Sequence, residues 1–101
     1  MPTDRVVRFT EQFFARLKLL LPEGRGADGT PSITDFLVFD LPSVHAKLAR
    51  DVEAATLPAA DPGIRVYIGI GAMVSAFAIH VRVADDGVVE AFWLVLDSTP
   101  W

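Results

Sequence analysis

Two periodicities divide the chain. From residue 10 to about residue 56 the apolar residues recur at helical spacing, and from about residue 64 they alternate or run together as strands do. The opening "RVVRF" (5–9) is a β-branched run and predicts a first strand. Thr10 stands where a helix cap would, with Glu11 in the first turn. Phe13, Leu17, Leu20 and Leu21 follow at helical intervals, Arg16 and Lys18 fall towards the other side, and Pro22 with Gly24 ends the run. "PEGRGADGTPS" (22–32) is a turn-rich connection, long enough to be mobile or to act as a lid and otherwise solvated. Ser32 and Asp35 then have capping-box spacing, with Asp in place of the usual Glu or Gln. Ile33, Phe36, Leu37, Leu41, Val44, Leu48 and Val52 continue a helical stripe to about Thr56. Pro42 interrupts it, which leaves a kinked helix or a short strand "DFLVF" followed by a fresh helix; the stripe keeps phase across the proline, which favours the kinked helix.

"LPAADPG" (57–63) predicts a turn, and three strands follow at about 64–71, 75–83 and 88–96, the last two joined through "DDG" at 85–87. The whole is an α+β domain: one antiparallel sheet with two helices packed on one face, in the order β-α-α-β-β-β, as a single domain over 1–101.

The hairpin register assigns faces. A two-residue turn at Asp86-Gly87 sets Val83 opposite Glu90, Val81 opposite Phe92 and Ile79 opposite Leu94, a face for the helices. The opposite face then carries His80, Arg82, Trp93 and Asp97. With Ile64, Val66, Ile68 and Ile70 pointing inward, Arg65 and Tyr67 join that outer face. The candidate binding residues are therefore Arg65, Tyr67, His80, Arg82 and Trp93, with Arg82 diagonal to Trp93 and able to stack on it. A sheet face that is simply wet would look the same. Trp and Arg are the common anchors of interfaces, and Arg with His suits phosphate or proton transfer.

Composition narrows the partners. Hydrophobic residues make up 51% of the chain and mean hydropathy is +0.38, a large apolar share for a domain with so little interior, pointing to a dense core or to a surface that a second chain covers. The formal charge is −4, and no basic cluster is present, which disfavours general nucleic-acid binding. There are no cysteines, hence no disulfides or thiolate sites. The opening "MPTDRVVRFTEQ" carries charges where a secretion signal is apolar, and a cytoplasmic protein is expected. A membrane span is not expected either: sixteen residues separate Arg65 from Arg82, and a spanning helix needs about 20 apolar ones.

Several chemistries drop out. His45 and His80 lie far apart without a companion thiol, so no metal site is expected, and His45 reads as a solvated helix residue. "GIGAMV" lacks the third glycine of a dinucleotide loop, so no cofactor is expected. Asp85 and Asp86 are accounted for by the turn.

The element order, the hairpin "FAIHVRVADDGVVEAFWLVLDS" and the strand running into "FTEQFFARL" resemble the RelE/ParE toxin superfamily over nearly the whole chain. Members resembling RelE cut messenger RNA on the ribosome with basic residues and a Tyr or His; members resembling ParE lack that set and inhibit gyrase; a small antitoxin neutralises both kinds. The resemblance implies a toxin-type protein with a small partner protein. Only Arg65, Tyr67, His80 and Arg82 stand in for the RNA-cutting set here, the end "LVLDSTPW" adds no His, Tyr or Arg, and the chain is acidic, so action by protein binding is implied rather than RNA cleavage. Two other readings stand beside it: a non-enzymatic, self-associating module, as a homodimer, and a small-molecule binding domain using the polar sheet face. The sequence does not decide whether any reaction is catalysed.

Overall fold

A computed structural model describes residues 4–96. Along the chain come β1 (Val7–Phe9), α1 (Glu11–Leu20), α2 (Ile33–Asp35), a π-helical segment (Phe36–Asp40), α3 (Leu41–Arg50), α4 (Val52–Ala55), β2 (Leu57–Pro58), β3 (Ile64–Gly69), β4 (Phe77–Val83) and β5 (Val89–Leu96). The strands form one sheet in the order β1-β5-β4-β3-β2. The α+β class is the one the periodicities indicate. Two details differ. The short edge strand β2 lies inside the segment read as a turn, and β1 joins the sheet parallel to β5 while all other pairs are antiparallel.

The helix starts follow their caps. Thr10 Oγ1 accepts from the Phe13 amide at 3.3 Å, and Ser32 and Asp35 form a reciprocal capping box. Arg25 reaches back from the connection and holds the Asp35 carboxylate through two bonds of 3.0 and 2.7 Å. These bonds, the guanidinium first, keep the Asp35 carboxyl well below the usual carboxylate range.

Between Ser32 and Arg50 the backbone is helical without a break, so "DFLVF" is helix and not strand. Pro42 is accommodated by a wide turn: the Leu41 amide bonds the Phe36 carbonyl, five residues back. That turn keeps Phe36, Asp40 and Leu41 buried and turns Val38 and Phe39 outward, 56% and 59% exposed. Asp51 then breaks the helix, and its side chain caps α4 through the Ala54 amide.

Phe13 and Leu17 of α1, Phe36, Val44 and Leu48 of the second helical stretch, and Ile79, Val81, Val89, Ala91 and Leu94 of the sheet form the core; all are 1% exposed or less. The β4–β5 turn holds three residues, Asp85, Asp86 and Gly87, not two: the Ala84 amide bonds the Val88 carbonyl, and Gly87 takes φ +85°, open to glycine at little cost. Near the turn Val83 therefore pairs with Val89 and Val81 with Ala91, one residue away from the expected register. A β-bulge at Phe92 absorbs the extra residue, and beyond it Ile79 pairs with Leu94 and Phe77 with Leu96.

Candidate functional site

The five residues proposed from the sequence do not share a face. β3 is turned over relative to the expectation. Tyr67, 6% exposed, points to the helices, pairs with Ile79 and stacks on Phe77 at 6.2 Å between ring centroids. Arg65 lies on the same side. Its Nε donates to Thr56 Oγ1 at 2.6 Å, and its Nη2 donates to the Thr56 and Glu53 carbonyls at 3.0 and 3.2 Å, closing the end of α4. Gly69 helps fix this orientation, because a Cβ there would lie 2.4 Å from Phe77 Cζ. Only a residue without a side chain lets that ring cover the strand, and Gly69 carries Tyr67 and Arg65 to the inside with it.

The bare face is consequently built from different residues. Three cross-strand rows cover it. Ile68, Ala78 and Val95 form the first; Leu57, Val66, His80 and Trp93 the second; Ile64, Arg82, Glu90 and Arg8 the third. Phe92, at the bulge, adds its ring beside His80, with centroids 6.3 Å apart. Leu57, Ile68 and Val95 are 62%, 61% and 40% exposed, and among the described residues no helix packs on this side. On this face the charged residues of the strands themselves lie in the third row. There Glu90 accepts from Arg8 at 2.6 Å and from Arg82 at 3.2 Å, and the two guanidinium groups, Arg8 first, hold its carboxyl below the ordinary value.

His80, Arg82 and Trp93 do lie on this face, in altered company. Arg82 does not stack on Trp93. Its guanidinium pairs with Glu90 and lies 5.4 Å from the Phe92 centroid, because the bulge places Phe92 nearer to it. Trp93 is overlaid instead by Arg16 of α1 at 4.2 Å, and Arg16 Nε also donates to the Leu94 carbonyl. β1 pairs with β5 only as far as Ala91, so the rest of that strand edge is open to a side chain from the helix. His80 sits between Val66 and Trp93 with Nδ1 buried and without a hydrogen-bond partner among the described residues. Asp97, also expected on this face, lies outside the described residues.

The arrangement suits apolar contact better than catalysis. Arg65 and Tyr67 are separated from His80 and Arg82 by the sheet itself, so the four residues that stood in for an RNA-cutting set do not converge. Among the described residues no cluster of His, Asp and Glu could hold a metal ion, and no helix is long and apolar enough to cross a membrane. Sequence reasoning missed Leu57, Ile64, Val66 and Ile68 as outward residues. The available signal was Gly69, in phase with Arg65 and Tyr67 and followed by the aromatic Phe77 at the start of the next strand.

Compared with protein-family models, with curated proteins and with solved structures, the chain matches none.

Proposed function

We propose that this protein is a self-associating interaction module whose uncovered sheet face packs on the same face of a second copy. The observation that carries the reading is the pair of apolar rows Ile68–Ala78–Val95 and Leu57–Val66–His80–Trp93 on the side away from the helices, with Leu57, Ile68 and Val95 exposed and the other four half-buried. Large apolar patches on a surface mark interaction sites. In the third row Arg8 and Arg82 both hold Glu90, which leaves one positive charge over on each face, so the apolar rows and not charge carry the association with a second copy. Two apolar faces then meet about a two-fold axis, each supplying the same patch.

The toxin-type reading keeps only its protein-binding half in this proposal, with a small antitoxin-like partner as the competing occupant of the same face. Sedimentation equilibrium over a concentration series tests it. The wild-type chain is expected to dimerise as concentration rises, and Ile68→Lys to remain monomeric with an unchanged circular dichroism spectrum. A wild-type monomer at the highest concentration overturns self-association, and co-purification of a small partner on the same face would replace the second copy with that partner.

A further inference from the structure

His80 stands at the centre of the bare face. β4 is the third of the five strands in the sheet, and His80 is the middle one of its seven residues. Its row lies between the row of Ile68, Ala78 and Val95 and the row of Arg82 and Glu90. Val66 and Trp93 flank it across the strands, and the Phe92 ring lies beside it. Its Nδ1 is buried and meets no hydrogen-bond partner among the described residues.

A neutral imidazole fits this place under a second copy, and a charged one does not. In a neutral ring that keeps its proton on Nε2, Nδ1 is an acceptor; in the imidazolium both nitrogens are donors. Protonation would therefore set a cationic N–H on the buried side with no acceptor to receive it. In the single chain His80 is half-buried, so water reaches part of the ring and offsets the charge. A second copy packed on the face removes that water.

The surroundings supply no counter-charge. Glu90 is the carboxylate of the three rows, and Arg8 and Arg82 already share it. Leu57, Ile64 and Val66 bring no charge from β2 and β3. On the β5 side Trp93 is overlaid by Arg16 at 4.2 Å and Phe92 by Arg82 at 5.4 Å, so both neighbouring rings already face a guanidinium. The third row leaves one positive charge over on each face, and a protonated His80 adds a second.

Symmetry brings the two rings together. A two-fold axis between two facing sheets runs in the plane of the interface, and residues close to it meet their own counterparts. To cover both apolar rows the axis must cross β4 near Ala78 and His80, the middle of the patch. Charging both imidazoles then sets like charges against each other in a site without water.

We infer that His80 gates association by its charge: neutral imidazoles let two bare faces meet, and protonated ones keep them apart. This rests on the self-association reading and adds the regulation of that same face.

Sedimentation equilibrium of the full chain at about pH 7.5 and about pH 5.5, on either side of histidine ionisation, tests it. The chain has two histidines and no cysteine, and His45 lies on α3 beside Phe9, away from the face. The wild-type dimer is expected to weaken about tenfold or more at the lower pH, with an unchanged circular dichroism spectrum. His80→Phe and His80→Gln should each dimerise to the same extent at both pH values, and His45→Gln should respond as the wild-type chain does. A wild-type dimer equally tight at both pH values overturns the gate and leaves self-association standing. So does a response that survives both His80 substitutions or disappears with His45→Gln. A chain that is monomeric at both pH values overturns self-association, and the gate falls with it.

Discussion

The two sides of β3 differ in a way that hydrophobicity alone does not anticipate. The side facing the helices carries Arg65, Tyr67 and Gly69; the side facing away carries Ile64, Val66 and Ile68. The more apolar set is the one left uncovered. Tyr67 and Arg65 earn no burial on a transfer scale, yet each meets a specific partner inside, Phe77 for the ring and the end of α4 for the guanidinium. Of the three aliphatic residues Ile64 and Val66 are half-buried and Ile68 is 61% exposed, with no helix of the described residues packed over them. Buried polar groups are tolerated when their hydrogen bonds are met, and an exposed aliphatic row is retained when another surface covers it.

The largest break in the comparison comes from neighbouring residues on opposite sides. Tyr67→Ala removes a buried ring and should cost about 3 kcal/mol or more in urea unfolding. Ile68→Ala, measured on dilute monomer, should stay within about 0.5 kcal/mol. Equal costs would mean that β3 has no buried side. Next comes Asp40→Ala, which leaves three loop amides without their acceptor and should cost about 2 kcal/mol. An unchanged unfolding midpoint would show that the loop does not depend on the carboxylate.

The two arginines sharpen the contrast further. Arg65→Ala should lose about 1 kcal/mol, because it uncaps the last carbonyls of α4. Acid titration compares the two sides as well. Asp35 on the helix side and Glu90 on the bare face both have folded-state values below their unfolded ones. Each therefore contributes stability that is complete above about pH 4 to 5 and is lost as pH falls, since the unfolded chain takes up those protons first. Asp35 has the larger shift, so Arg25→Ala should flatten the acid limb of a stability–pH curve more than Arg8→Ala. The reverse order would relocate the stronger ion pair to the sheet face. Smallest of all is Arg82→Ala, half-exposed and paired with Glu90, which should change unfolding by less than about 0.5 kcal/mol.

Local signals carried much of this fold. Thr10, the Ser32–Asp35 box and the stripe from Phe36 to Val52 act within a turn or two of helix, so their chemistry is visible in adjacent residues. The hairpin was legible for a less direct reason: a three-residue turn and the Phe92 bulge each add one residue, and the two offsets cancel beyond His80. The faces of β3 were not legible, because both alternating sets contain apolar residues and the arbiters are distant. Arg65 is placed by α4, and the loop before Phe77 by Asp40, 32 residues from the Ala72 amide it accepts from. The candidate site inherits that result: His80, Arg82 and Trp93 were found on the bare face, Arg65 and Tyr67 were not, and Ile64, Val66 and Ile68 were assigned to the core.

One measurement reads the central claim without any substitution. Methyl groups of Ile68 and Ile79 can be followed by nuclear magnetic resonance in the presence of a soluble paramagnetic agent, at low and at high protein concentration. Ile68 should be strongly relaxed when dilute and become protected as a second copy covers it, while Ile79, 0% exposed, stays protected throughout. An Ile68 methyl protected even at high dilution would contradict the assignment of faces, and one that stays relaxed at every concentration would contradict the second copy.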